Sequence, residues 1–442
     1  MGRVGWAASL VVWLLTVTAL RSDDALETYV RKADTNFNWK QISQVQSNGF
    51  TLTHLQLQSQ QWREHLWKHN LRVVRPAKVR NSKMGMLFIT GSGSGTRYLG
   101  LLQTVAEQAG VVTAVLTDVP NQPLYDGRTE DALIAYTFQK YMESGDETWP
   151  LLFPMAKSAV KAMDAIEQFT VNGPSGKVEK FVVTGASKRG WTTWLSAAVD
   201  KRVTAIAPMV IDMLNMKAQL GWAQKVYGRQ SEEIDDYTHL RLHERVDEPE
   251  MVKLRQWVDP YSYRTRYTIP KLLLLGSNDR YWTVDSLRHY WNELPEPKLI
   301  FQTPNAGHDL GGGKEATQTL AAFVEMVADG LPLPKMEWEL SDVSYKKAHA
   351  KMKVSEQSDS IRLWTATSSD RDFRDDKWTS KDMEVRRGSS QAADEVPTPE
   401  TGYRAYMIEV SLKSPRGYPY KLSTEARVTP DAIRETKETS KP

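Results

Sequence analysis

The sequence predicts an α/β protein built on a mostly parallel sheet, with a helical insertion and a β-sandwich-like C-terminal region. Three observations carry that prediction. Between residues 84 and 333, apolar runs of strand length alternate with stretches of helical periodicity. One interval in that series, 214–262, holds several helical patterns and no strand pattern. After "LPLPK" (331–335) the texture turns to short alternating runs separated by polar turns, as in a small sandwich.

Taken in order, the chain opens with "MGRVGWAASLVVWLLTVTALRSDD", an early arginine followed by an apolar run and an acidic pair. This reads as an export signal over residues 1–22, cleaved near 19–23, so the mature protein is expected outside the cell with no membrane span. Residues 23–83 form an N-terminal extension of the sheet domain. It holds a helix near 25–32 and a strand at "FTLTHLQLQSQQW", where Thr51, Thr53, Leu55 and Leu57 alternate with Leu52, His54, Gln56 and Gln58. "MGMLFITGSGSG" and "GVVTAVLTDVP" give the next two strands. The segment "PLLFPMAKSAVKAMDAIEQF" gives a helix with Met155, Ala159, Met163 and Ile166 on one face. A strand–serine–helix unit at "FVVTGASKRGW" follows, then strands at "VTAIAPMVI", "PKLLLLG" and "PKLIFQTP" and a helix over 315–328. The insertion at 214–262 lies between two of these strands, where it is expected to cap the strand C-termini. The core thus spans 84–333 and the sandwich-like region 334–429. In the latter, Trp364, Phe373 and Trp378 are expected to be buried, and Arg371 and Arg374 to pair with acids. Residues 430–442 form a charged tail.

Composition narrows the function. Without Arg3 and Arg21 in the first 22 residues, 55 lysines and arginines face 54 acidic residues, a net of +1. No basic stripe marks the chain, so nucleic acid is excluded as a partner. The sequence has no cysteine, which excludes disulfides, cysteine nucleophiles and thiolate metal sites. It also has no Asn-x-Ser/Thr triplet for N-glycosylation.

The chemistry centres on Ser187, placed where an apolar strand turns into a helix. A nucleophilic serine needs a strained turn that lifts its hydroxyl clear and aims the next backbone N–H at the developing oxyanion. Gly185, two residues before it, relieves the crowding. Two residues after it stands Arg189, and the second glycine, Gly190, comes one position later. A helix-capping serine fits this stretch as well. The wider order favours the nucleophile. Asp279 follows the strand "KLLLLG", and His308 follows the last strand in "PNAGHDL", giving the order Ser, Asp, His with each group after its own strand. Asp285 is an alternative acid. Oxyanion donors are sought in the Lys188 N–H and in Ser92 and Gly93 of the glycine-rich loop. That loop lacks the spacing of a nucleotide site. The Lys188–Arg189 pair suits a substrate carboxylate or a solvated face. Glu130 and Asp131 match the dipole at a helix start. His65/His69 and His239/His243 are each four apart, as on a helical face, but neither pair has a third ligand, so no metal is expected.

These residues also resemble a family. "YVRKADTNFNW", "SQQWREHLWKH", "EDALIAYTFQKY", "TGASKRGWTTWL", "VIDMLNM", "VDPYSY", "PNAGHDL" and "LWTATSSDRDFRDDKW" are similar to the PhoPQ-activated pathogenicity-related proteins over most of the mature chain. The resemblance implies an α/β-hydrolase with a helical cap insertion and a β-sandwich-like C-terminal domain. It places Ser187, Asp279 and His308 on the expected triad positions. The family includes an autocrine proliferation repressor, an extracellular growth inhibitor and chemorepellent. The expected function is therefore a secreted serine hydrolase for an ester or peptide bond, with a small-molecule or peptide substrate and no cofactor. The alternative is a secreted signalling protein on a hydrolase frame, with a cell-surface partner.

Overall fold

The computed structural model describes residues 24–174, 176–385 and 390–434. The expected export signal and residues 435–442 of the tail lie outside them. Among the described residues, nine strands form the main sheet in the order β1-β2-β3-β5-β4-β6-β7-β8-β9. They are β1 (Asn38–Ser47), β2 (Phe50–Trp62), β3 (His65–Pro76), β4 (Met84–Ile89), β5 (Val112–Leu116), β6 (Lys180–Ala186), β7 (Val203–Met209), β8 (Lys271–Gly276) and β9 (Lys298–Thr303). Strands β4 to β9 are parallel, and β1 to β3 extend the sheet antiparallel. Every residue of β4, β5 and β8 is buried. Strands covered on both faces need apolar side chains on both, which is why these three read as unbroken apolar runs.

Helices cover both faces. On one side α1 (Ala25–Arg31), α4 (Leu152–Thr170) and α5 (Lys188–Val199) share a core with the inner faces of β2 and β3. On the other, α2 (Leu99–Ala109) and α9 (Lys314–Ala328) pack against Phe88, Val182 and Leu274. In β2, Thr51, Thr53, Leu55 and Leu57 are the buried set, as the alternation predicts. A bulge between Gln58 and Gln60 then turns Gln60 and Trp62 inward as well. Strands β4 and β6 are neighbours, with β5 and β7 beyond them on opposite sides. Chain connections diverge there, which opens a crevice at the strand C-termini, the usual ligand position of such sheets. Ser187 follows β6 into it.

His65 and His69 do not share a helix: both lie on β3. His69 is buried, with Nε2 2.9 Å from the Ser59 hydroxyl and Nδ1 3.0 Å from the Thr117 carbonyl oxygen. Burial pulls its pKa down to about 4, against the hydrogen bond to Thr117. A buried neutral histidine makes the unfolded chain the better proton acceptor between that value and the ordinary 6.5, so stability must fall as pH falls through this window. The expected loss is on the order of 3 kcal/mol between neutral pH and pH ~4. Urea midpoints measured across that range should show it, and His69→Gln should flatten the slope.

The insertion at 214–262 is helical as expected. It carries α6 (Met216–Tyr227), α7 (Asp235–Thr238) and α8 (Pro249–Val258) above the end of β6, while α3 (Glu130–Ser144) closes the side. His239 ends α7 and His243 lies in the next short turn, so this pair does not share a helix either. No group of His, Asp and Glu among the described residues has a metal-binding arrangement. No described helix is long and apolar enough to cross a membrane.

The C-terminal region holds two antiparallel sheets. One is β10 (Met336–Ser344), β11 (Lys347–Val354) and β14 (Gln391–Pro397). The other is β12 (Ser360–Ser368), β13 (Thr379–Asp382), β15 (Tyr403–Lys413) and β16 (Pro419–Ser423), with β17 (Arg427–Thr429) paired to β15. This region has a small apolar cluster of its own, around Phe373, Trp378, Tyr403 and Met407, but much of its interior is shared with the main domain. Leu363, Ile408 and Val410 belong to the same cluster as Leu320 and Phe323 of α9 and Leu274 of β8. Polar ties cross the same boundary: the Gln302 N–H donates to Ser423 at 2.8 Å, and buried Glu325 accepts from Ser414 at 2.9 Å. Phe373 and Trp378 are buried as expected, but Trp364 is only half-buried. Its neighbour across the sheet, β13, is a short exposed edge strand, which leaves that indole incompletely covered.

Candidate active site

Ser187 stands between β6 and α5 with φ 57° and ψ −127°. A non-glycine residue in that conformation stores about 1–3 kcal/mol of strain, which persists only where its surroundings over-determine it. Two glycines make the turn. A Cβ on Gly185 would come within 2.7 Å of the Arg189 carbonyl oxygen. A Cβ on Gly190 would lie 2.7 Å from Ile211 Cγ2, 2.9 Å from the Gly185 carbonyl oxygen and 3.0 Å from that of Met209. The turn therefore fixes glycine at the third position after the serine. The Ser187 N–H is tied to the Met209 carbonyl at 2.9 Å.

The second position after the serine, Arg189, points its side chain away. Its Nη1 and Nη2 reach the two Glu130 oxygens at 2.6 and 2.7 Å, and Nε donates to the Val119 carbonyl at 2.5 Å. Gly91 makes room for it: a Cβ there would meet Arg189 Nη2 at 2.5 Å. Lys188 Nζ donates to Asp131 at 2.6 Å, and Asp131 also accepts from the Tyr237 hydroxyl at 2.9 Å. Both cations are buried and engaged. They are neither a solvated face nor open to a substrate carboxylate, which corrects that expectation. Burial alone would raise the Glu130 pKa, but the Arg189 hydrogen bonds outweigh it and bring it down to about 2. Glu130 and Asp131 thus anchor the turn after Ser187, beyond any dipole match.

The structure brings Asp279 and His308 together. Asp279 Oδ2 lies 2.8 Å from His308 Nδ1, and Asp279 Oδ1 accepts the Tyr281 N–H at 3.1 Å. Gly276 permits this approach, since a Cβ there would lie 2.4 Å from the carbonyl oxygens of Ala306 and Gly307. His308 Nε2 is buried and has no hydrogen-bond partner among the described residues. The Tyr281 ring lies against the imidazole, with centroids 4.5 Å apart. Ser187 and His308 make no hydrogen bond to each other. Ser187 lines an apolar cavity, His308 lines a polar one, and Tyr281 lines both.

Asp285 is not beside His308. It is buried, 3.0 Å from Arg371, Arg288 and the Trp222 indole N–H. Burial pushes its pKa up, but the two guanidiniums prevail and hold it below the ordinary carboxylate range. Its role is to join the C-terminal region to the core. As for the oxyanion donors, the Lys188 N–H opens α5, where first-turn N–H groups have no intrahelical acceptor. The Gly93 N–H is directed to Asp118 at 3.4 Å, and the Ser92 hydroxyl accepts from Gln122 at 3.3 Å. The loop holding Ser92 and Gly93 is not among the residues lining either cavity.

Three further groups stand at the site, none of which the sequence alone indicates as a site residue. Tyr281 is one. The second is Arg374, carried by the loop 369–378 from the C-terminal region to the cavity of His308. The Asn278 side chain holds that loop by donating to the carbonyls of Phe373, Arg374 and Asp376 at 2.8–3.3 Å, and Asn305 accepts the Trp378 N–H at 2.7 Å. The third is Asp212, buried at the end of β7, where it accepts from Tyr290 at 2.6 Å. Burial raises its pKa to about 7; the Tyr290 hydrogen bond opposes that, and the charge of Asp279 adds to it. All three depend on contacts between distant segments, so no local pattern could reveal them.

The comparisons agree with the resemblance. The family model described as PhoPQ-activated pathogenicity-related protein matches residues 26–374. Autocrine proliferation repressor protein A of Dictyostelium discoideum is 30% identical over 468 residues, spanning 96% of this chain and 94% of that protein. Among solved structures, acetyl xylan esterase 1 from Thermoanaerobacterium sp. matches at 19% identity, covering 68% of this chain and 93% of that one, with a TM-score of 0.46. An acetyl xylan esterase from Paenibacillus sp. R4 matches at 15%, covering 67% and 92%, with a TM-score of 0.48.

Proposed function

The chain belongs to the PhoPQ-activated pathogenicity-related protein family, and from that premise and the site's geometry we propose that it is a serine hydrolase acting on an ester or peptide bond. The backbone of Ser187 carries the reading: a strained turn, held by two glycines that admit no side chain, has a cost that ordinary helix capping does not require. In the proposed reaction the Ser187 hydroxyl oxygen attacks the acyl carbon and its proton passes to His308 Nε2. Asp279 holds the imidazole through Nδ1 and stabilises the cation that forms. The tetrahedral adduct collapses with cleavage of the bond to the leaving group, which takes the proton from His308. Water then repeats the sequence and releases the acid. The Lys188 N–H at the start of α5 is the proposed oxyanion donor.

Labelling with a fluorophosphonate tests the reading. The wild-type protein should be modified at Ser187, and Ser187→Ala should not react. A folded wild-type protein that stays unlabelled would remove the nucleophile from consideration. A second reading draws on the likeness to autocrine proliferation repressor protein A: an exported growth repressor with a cell-surface partner, built on a hydrolase frame. Full biological activity in Ser187→Ala would favour it. Export itself is checked by sequencing the N-terminus of protein from the medium, which should begin near residues 19–23.

A further inference from the structure

The apolar cavity beside Ser187 lies between the cap and the helices below it. Its volume is about 120 Å³. Met213, Leu220, Leu254, Trp191, Phe138 and Trp282 are among the residues that line it. Lys188 at its edge is neutralised by Asp131, and Arg255, which also lines it, donates Nη2 to the Val246 carbonyl at 2.8 Å. A group entering from Ser187 therefore meets a wall that is mostly apolar. The second cavity is larger and more polar. Its volume is about 420 Å³, and it is lined by Glu233, Asn278, Arg280, His308 and Arg374.

These two cavities assign the two halves of a substrate, on the premise that Ser187 and His308 act as proposed. The acyl carbon bonds to Ser187, while the leaving group takes its proton from the histidine and so departs on the histidine's side. We infer that the apolar cavity is the acyl pocket, accepting a short apolar chain or ring, and that the polar cavity takes a hydrophilic leaving group. Size sets the acyl length. An apolar protein cavity of about 150 Å³ holds benzene, so this one suits roughly six carbons. Acetyl groups would leave it largely empty, and a hydroxylated acyl group would give up its hydration against a mostly apolar wall.

The test is a series of para-nitrophenyl esters from acetyl through butyryl, hexanoyl and octanoyl to decanoyl. Each methylene entering the cavity is worth about fourfold in kcat/KM, so the hexanoyl ester should exceed the acetyl ester by roughly two orders of magnitude. Longer chains should gain nothing further. Leu220 is half-buried on α6 and lies outside the proposed triad. Leu220→Trp should fill the cavity and erase the preference for hexanoyl over acetyl, with circular dichroism as the control for folding. Inhibition of the wild type by pentylboronic against methylboronic acid gives the same comparison without a variant, and pentyl should bind more tightly. Turnover with acetyl preferred, a flat profile, or a profile that Leu220→Trp leaves intact would overturn the acyl assignment while the nucleophile stands. No turnover of any ester, together with no fluorophosphonate labelling, would overturn both.

Discussion

Ser187→Ala and His308→Ala should each lower turnover of the best ester by roughly 10⁶-fold, and the double variant should be no worse than either alone. A nucleophile and its base act as one unit, so the first loss removes what the second would. Asp279→Asn should leave the fold intact and cost about 10⁴-fold, because the amide holds the imidazole in the wrong tautomer for accepting a proton at Nε2. The 2.8 Å contact between Asp279 and His308 Nδ1 places that effect on this carboxylate. Steady-state kinetics on the three variants, with circular dichroism as the control for folding, would settle it. Additive losses for Ser187 and His308 would mean that they do not work together.

Asp285→Ala should do the reverse. Asp285 and Arg371 are both about 2% exposed or less, and removing the carboxylate strands a buried guanidinium. Breaking such a pair typically costs 3–5 kcal/mol, in contrast to the small effect of an exposed one, so the variant should lose about that much stability. The denaturant midpoint should drop with little change in slope, and turnover per folded molecule should match the wild type. A large loss of rate at unchanged stability would instead make Asp285 the acid of the triad. The pair of experiments thus separates the two carboxylates by the kind of damage each substitution does.

Much of the sheet was legible because its centre is apolar on both faces. Strands such as "KLLLLG" and "FVVTGA" have no other use for such runs. Strands β1 and β3 escaped for different reasons. β1 is an edge strand with nine of its ten positions exposed, so its sequence carries no burial pattern. In β3, Trp67, His69, Leu71 and Val73 face inward and alternate with Lys68, Asn70 and Arg72. The histidines four apart read as a helical pair, yet a spacing of four also returns to the same side of a strand.

Site residues divide the same way. Ser187, Asp279 and His308 each follow a strand, and chain order alone sets them at one end of the sheet. The fates of Lys188 and Arg189 were not legible, since their carboxylates lie on a helix that begins 57 residues or more earlier. Arg374 reached the site only through a loop held by Asn278 and Asn305, whose amides have no local signature.

That loop has an evolutionary consequence. The strand-rich C-terminal part shares much of its apolar interior with α9 and supplies a wall of the chamber that His308 lines, so the gene segments encoding the two parts cannot be shuffled as separate modules. An exchange at the boundary near residue 334 would expose Leu320, Phe323 and Leu363 on new surfaces and remove Arg374 from its cavity. Descendants that keep the chamber must inherit both parts together, and substitutions on either side of the seam are expected to drift in matched pairs.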